Sequence, residues 1–240
     1  MKRDASTYSR NALDLPYLVS LSNPQLPVTT LNASNLTLDD VHHLLGFQRQ
    51  YNGSFTPLLS LDPITELEQQ ELNRIWHDFE PYLTSGKMSE GVVKAMTTFP
   101  LMRAGGFYSP PIRLSIEEGI AAINIVNEDT RITGRFDILS VNYEHLTATN
   151  TFLWVLVIET KEGLANVWAG LPQLLTYAYK SLEHQTSVWG LATNGLNYQF
   201  VCIQSETSPT YQLMPLLNLF ELESSIRLLQ VLKAICKLHN

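Results

Sequence analysis

The stretch FLWVLVIETKEG, Phe152 to Gly163, constrains the fold more than any other part of the chain. Seven consecutive apolar residues, Phe152 to Ile158, read as a strand buried on both faces, the pattern of a sheet covered by helices on either side. The run then stops on Glu159, Thr160, Lys161 and Glu162. Alternation along a strand puts Glu159 and Lys161 on one face, two residues apart, at the margin of a dry core. Such a pair is either a local ion pair or a site.

The segments on either side fit an α/β chain. From Ile112 the period is that of strands: IRLSIEEGIAAINIV, then RITGRFDILSV after a turn-like Asn127 to Thr130, with the polar NYEHLTATN as the loop into the apolar strand. Beyond it, VWAGLPQLLTYAYKSLEHQ carries Leu171, Leu174, Leu175, Ala178 and Leu182 at helical spacing. SVWGLAT and LNYQFVCI are two strands whose junction, Asn194-Gly195, is a strong hairpin signal. The helix ELESSIRLLQVLKAICKLH follows, with Ile226, Leu229, Leu232, Ile235 and Cys236 as its inner stripe.

Upstream, residues 1–35 are rich in Ser, Thr, Asn and Pro and read as an irregular arm. Residues 36–88 read as a helical extension. Thr37 caps a first helix, with Asp40 three residues on and Gly46 as its stop. Asp62 is expected to cap a second helix, with Pro63 at its first position and Leu67, Leu72, Ile75 and Phe79 on one stripe before Gly86. Residues 89–240 read as the main α/β domain, opening on a helix that starts at Ser89, carries Glu90 in its first turn and breaks at Pro100.

Of the 240 residues 45% are hydrophobic, enough to bury a core. The net charge of −7 requires any nucleic-acid partner to meet a local basic patch, which disfavours a tight, non-specific DNA binder. Cys202 and Cys236 lie in apolar patterns and suit reduced core thiols. With no signal-peptide pattern and no stretch near the ~20 apolar residues of a membrane span, a cytoplasmic address is expected. No histidine or cysteine spacing resembles a zinc site, and no Gly-x-Ser-x-Gly elbow suggests a serine hydrolase.

The order of elements, a helix with Glu90, a strand entered through Gly134-Arg-Phe-Asp137, the Glu159-Thr-Lys161 strand end, and a helix with Gln173 and Tyr177, resembles the PD-(D/E)xK nuclease superfamily. Within it the chain is similar to stand-alone cyanobacterial proteins labelled restriction endonuclease subunit R. The resemblance implies a restriction-endonuclease-like core, a mixed sheet flanked by helices, and metal-dependent hydrolysis of nucleic acid, DNA more than RNA, in restriction or defence. It implies Mg²⁺ or Mn²⁺ held by Asp137, Glu159 and the backbone carbonyl of Ile158, with Glu90 as a lesser ligand. Lys161 would handle the attacking water or the transition-state charge, and Gln173 would position water or substrate. Tyr177, Arg135 and Lys180 would meet the substrate, and a homodimer or a partner protein would supply specificity. The family's Pro before the strand Asp is absent, since Phe136 precedes Asp137, and no Walker A pattern is present.

Each residue also has an ordinary structural role open to it. Asp137 can pair with Arg135 or another cation across strands, and Glu159 with Lys161 as a half-exposed ion pair. Gln173, Tyr177, Lys180 and His184 follow the spacing of a solvated helix face. Glu90 suits a helix N-terminus whatever the function. The chemical alternative to a nuclease is therefore an inactive nuclease-like module that binds nucleic acid or a partner protein.

Overall fold

In the computed structural model, which describes residues 28–125, 128–147, 149–163 and 165–238, the apolar run lies inside an eight-stranded mixed sheet with helices packed on both faces. The expected α/β class is observed in that form.

Strand β1 (Thr29–Asn32) and a 3-10 turn (Ala33–Asn35) precede helix α1 (Leu38–Leu45). Residues 29–35 thus depart from the irregular arm expected of 1–35, and residues 1–27 lie outside the described residues. β1 is ordered by a partner about a hundred positions away, which local periodicity does not reveal. Helix α1 starts in the expected capping box: Asp40 N donates to Thr37 Oγ1 at 3.1 Å, Thr37 N donates to Asp40 Oδ2 at 2.8 Å, and Gly46 closes the helix at φ +71°. Strand β2 (Gln48–Gln50) follows.

Helix α2 (Glu66–Ser85) begins later than expected. Its cap is Thr65, not Asp62, because Thr65 and Glu68 close a reciprocal box that satisfies two orphan amides, which Asp62 does not reach. Asp62 instead accepts Lys237 Nζ at 2.6 Å. This start leaves Leu67 in the first turn and 76% exposed, so the inner stripe is Leu72, Ile75 and Phe79.

Pro100 does not end the next helix. Glu90–Val93 (α3) runs through a π turn, Lys94–Thr98, into Phe99–Ala104 (α4). The wider turn relieves the ladder at the point where the proline ring lacks an N–H and would crowd the carbonyl four residues back.

Of the predicted strand IRLSIEEGIAAINIV, Ile112–Ile116 (β3) and Ile123–Ile125 (β4) enter different sheets. β4 joins Thr130–Thr133 (β5) and β1 in a three-stranded sheet ordered β1-β5-β4, with Thr29–Asn32 parallel to Thr130–Thr133. Strand β6 (Ile138–Leu146) extends through half of the expected loop NYEHLTATN. There the buried Asn142 uses its side chain to accept the amides of Glu144 and His145, which covers the polar backbone across a register shift.

The apolar strand is β7 (Phe152–Thr160), antiparallel to β6 and parallel to β8 (Ser187–Thr193), with α5 (Leu171–Ser181) as the crossover. Strand β9 (Asn197–Ser205) returns from β8 through the expected hairpin, displaced by one residue: Asn194 N donates to Asn197 O, so Gly195, at φ +85°, and Leu196 form the tip. β10 (Pro209–Leu213) pairs with β9 and with β2, β11 (Leu217–Asn218) pairs with β9, and helix α6 (Leu222–Lys237) follows. The large sheet runs β2-β10-β9-β8-β7-β6-β3.

Two cores flank this sheet. Ile158 packs with Phe79, Phe200 and Leu229 on one side, and Val157 with Val41, Leu174 and Leu175 on the other. Ser140 opposes Leu156 and Val141 opposes Trp154, so Val155 sits in a bulge and joins Leu156 in the first core. The segment 36–88, expected as a helical extension, contributes to both cores. Both cysteines are buried. Among the described residues no helix is long and apolar enough to cross a membrane.

Phe79→Ala should lower the unfolding free energy by about 3–5 kcal/mol, whereas Leu67→Ala should change it by less than ~0.5 kcal/mol, read from urea midpoints at constant m-value.

Candidate functional site: a carboxylate cluster at the end of the central strands

The site gathers where β7 runs out of apolar residues. The β6–β7 pairing ends at Ile138 opposite Ile158, which leaves Asp137 just before β6 and Glu159 near the end of β7 at neighbouring strand ends. The same pairing continues on the other side as Ile116 opposite Ile138, and Glu117 N donates to Asp137 O at 2.9 Å. Three strand ends therefore bring Glu117, Asp137 and Glu159 together, and helix α3 adds Glu90.

Two lysines divide these acids. Lys94, in the π turn, has a side chain only 9% exposed, and its Nζ lies 2.8 Å from Asp137 Oδ1, 3.0 Å from Glu90 Oε1 and 3.2 Å from Glu117 Oε1. Burial alone would lower its pKa, but the hydrogen bonds and charges of Asp137 and Glu90 outweigh it and hold the ammonium well above the usual lysine range. Asp137 accepts at its other oxygen from Thr160 N (2.6 Å) and Thr160 Oγ1 (2.7 Å). Burial acts to raise the Asp137 carboxyl, and the bonds from Lys94 and Thr160 overcome it and keep the group below the ordinary carboxylate value.

The second lysine, Lys161, donates to Glu159 Oε1 at 2.8 Å and to Gln173 Oε1 at 3.0 Å. Gln173 Nε2 donates to Tyr177 Oη at 2.7 Å, and the Tyr177 hydroxyl donates to Arg135 O at 2.7 Å. The chain of bonds ties α5 to the strand entry just before Asp137. Burial, then the charge of Glu159, pushes the Tyr177 hydroxyl well above its ordinary value, so it remains a donor. Two glycines make room: a Cβ on Gly134 would stand 2.8 Å from Tyr177 Cε1, and one on Gly170 would stand 3.1 Å from Glu159 Cγ.

Glu159 is the anomalous member. It is 2% exposed, and its Oε2 is buried with no hydrogen-bond partner. Burial, followed by the charge of Asp137, outweighs Lys161 and pushes its pKa up to about 8. A buried carboxyl with one unsatisfied oxygen costs roughly 1–3 kcal/mol and usually marks a function or a missing partner.

The structure thus places Glu90 and Asp137 in one set of contacts around Lys94 and Thr160, and Glu159, Lys161, Gln173 and Tyr177 in a neighbouring chain of hydrogen bonds. Tyr177 is fully buried and holds Gln173 in place, so its contacts are with protein and not with the solvent side of the cluster. Arg135 is largely exposed, with a guanidinium nitrogen 3.9 Å from Glu117 Oε2. Lys180 is paired to Glu183 and faces a separate cavity of about 280 Å³, lined by Phe136, Trp154 and His184. Ile158 lies inside the ladder, paired on both sides, with Ile138 and Leu191. Sequence reasoning missed Lys94, Glu117 and Thr160. Lys94 carried a visible signal, the four-residue spacing from Glu90, while Glu117 sits at φ +55°, a conformation that its residue type does not announce.

As a divalent-cation site the donor set is chemically apt: hard carboxylate oxygens, one of them buried and unpartnered. Among the described residues, however, no three acidic, histidine or cysteine side chains stand close enough together to hold a metal as they are. Their spacing is set by the Lys94 ammonium, whose 2.8–3.2 Å contacts exceed the roughly 2.0–2.1 Å of Mg²⁺–oxygen bonds. No family model matches the chain, and no curated protein matches it.

The burial of Glu159 gives the fold a pH dependence. Its folded pKa lies above the ordinary 4.5, so its contribution to stability is complete below that pH and is lost as pH rises towards about 8. In EDTA, Glu159→Gln should flatten the decline in unfolding free energy across this window by up to ~1.4 kcal/mol per pH unit, measured by urea melts at successive pH values.

Proposed function

We propose that the protein is a divalent-metal-dependent nuclease that hydrolyses phosphodiester bonds, with DNA as the preferred substrate. The observation that carries the reading is Glu159: a carboxyl driven into a dry environment, with one oxygen unpartnered, at the strand end neighbouring that of Asp137 and bonded to Lys161. A purely structural ion pair does not require an orphaned oxygen.

In this reading Asp137 and Glu159 hold Mg²⁺ or Mn²⁺ between adjacent strand ends, with Glu90 at the open side of the cluster. The bound cation supplies positive charge for the phosphoryl and leaving oxygens. Lys161 keeps its ammonium on the Glu159 face, where it orients the attacking water or offsets charge gained in the transition state. Gln173 fixes Lys161 through its carbonyl oxygen, and Tyr177 fixes Gln173, so the helix holds the lysine in register with the acids. Exposed Arg135 stands at the rim, where a phosphate backbone would approach.

A second reading has its own observation. Both oxygens of Asp137 are already satisfied, by Lys94 and by Thr160, as expected of an inactive nuclease-like module that binds nucleic acid or a partner protein.

Cleavage of linear and circular, single- and double-stranded DNA and of RNA, with Mg²⁺, Mn²⁺ or EDTA, separates the two. The nuclease reading expects metal-dependent cutting of DNA that falls by about 100-fold or more in Lys161→Ala. Absence of cutting in every condition, with the protein folded, rejects it in favour of the inactive module. For the nuclease, saturating metal should also raise the melting temperature, by the equivalent of ~2.7 kcal/mol at a hundred times Kd.

A further inference from the structure

Arg49 is held by rings and not by acids. Its guanidinium carbon lies 5.0 Å from the centroid of the Tyr51 ring and 5.4 Å from that of Trp168, over both. Among the described residues no carboxylate pairs with this guanidinium, and its Nε is buried without a hydrogen-bond partner. The rings are open to solvent, Tyr51 at 71% exposure and Trp168 at 42%, although they come from segments more than a hundred positions apart. A single exposed aromatic side chain is ordinary. Two that converge on one cation lacking an anion form an aromatic surface with positive charge left over.

The sheet sets this cluster on the same edge as the candidate site. β7 is parallel to β8, β8 antiparallel to β9, β9 antiparallel to β10 and β10 parallel to β2, so β2 and β7 point the same way. Tyr51 directly follows β2 and Lys161 directly follows β7, which puts both at one edge of the sheet, four strand spacings or roughly 19 Å apart. The 3-10 turn Val167–Gly170 spans that interval. Its Trp168 reaches Arg49, and its Gly170 packs so close to the site that a Cβ there would stand 3.1 Å from Glu159 Cγ and 3.5 Å from Lys161 Cε.

We propose that Arg49, Tyr51 and Trp168 form a platform for the unpaired bases of a single-stranded nucleic acid, from which the strand runs along the sheet edge to the Glu159 and Lys161 pair. The inference rests on the nuclease reading above and names the form of its substrate. Bases in a duplex stack on one another and keep their faces covered, whereas an unpaired base offers its face to an aromatic ring. Arg49, with no acid to neutralise it, supplies its charge to a backbone phosphate. Stacking does not depend on net charge, so it suits a chain whose −7 disfavours an electrostatic grip on duplex.

The test is fluorescence anisotropy of labelled single-stranded DNA, single-stranded RNA and duplex DNA, titrated with the full chain in EDTA at low ionic strength, so that binding is read without cleavage. The variants are Trp168→Ala, Trp168→Phe, Tyr51→Ala and Arg49→Gln, with Tyr108→Ala as a control whose ring meets Arg103 instead, and circular dichroism establishes folding. A single strand should bind about fivefold or more tighter than the duplex, the DNA and RNA arms identifying which strand is taken. Trp168→Ala and Tyr51→Ala should each weaken it by about fivefold or more, while Trp168→Phe, which keeps a ring, should stay within about twofold of wild type. Arg49→Gln should also lower the slope of log K against log salt by roughly 0.7. Equal affinity for duplex and single strand overturns the proposal, as does a folded Trp168→Ala that binds like wild type, an equal loss in Tyr108→Ala, or no binding of any nucleic acid. Tyr51→Ala, at the more exposed ring, decides the matter if Trp168→Ala fails to fold. If wild type cuts DNA with metal while Trp168→Ala and Tyr51→Ala bind and cut as it does, the nuclease reading stands and this proposal falls. If wild type binds single strands through Trp168 and cuts nothing in any condition, the platform stands and the nuclease reading falls.

Discussion

Lys94 brings its ammonium to within 3.2 Å of carboxylates on α3, at the end of β3 and at the start of β6, and the geometry of the candidate site depends on that contact. Without a cation there, Glu90, Glu117 and Asp137 would repel each other at short range. With it, Asp137 is free to turn its second oxygen to Thr160 and so join the ends of β6 and β7. The π turn that carries Lys94 shifts its side chain relative to a regular helix, and such turns recur where a protein tolerates local irregularity for the sake of a site.

The two lysines have different surroundings and therefore different work. Lys94 is held by acids alone, whereas Lys161 is shared between Glu159 and the amide of Gln173. An ammonium fixed by several anions is a structural charge; one steered by a neutral amide is oriented without being fully neutralised. The division also separates the carboxylates, with Asp137 held below its ordinary pKa by Lys94 and Thr160 and Glu159 raised by burial. Opposed shifts in adjacent acids are the arrangement that acid–base and metal chemistry draws on.

Much of this was legible in the residues. The charged end of the apolar strand, the Thr37 box, the α5 stripe and the Asn194-Gly195 hairpin are local patterns, each set by neighbours within a few positions. The misreadings involve competition or distance. Asp62 and Thr65 both suit a cap, and the choice fell to the one whose partner three residues on completes a box. Pro100 ordinarily breaks a helix, and a π turn absorbed it. β1 and β2 are short and find their partners, β5 and β10, far along the chain, where no periodicity points. At the site, the acids and Lys161 were readable because they flank an obvious strand, while Lys94 and Glu117 became visible only once a helix and a strand end were placed beside Asp137.

The edge pairing of β2 with β10 sets the order in which the molecule can be completed. Gln48–Gln50 lies beside Thr210–Gln212, and α2, near residue 70, shares its core with α6, whose Leu228, Leu229 and Leu232 lie some 160 positions later. During synthesis α2 emerges long before the surface of α6 that covers it, and its apolar face waits, exposed, until α6 has been made. Truncation within α6 would therefore uncover the first core, which also holds Ile138 and Ile158, the neighbours of Asp137 and Glu159.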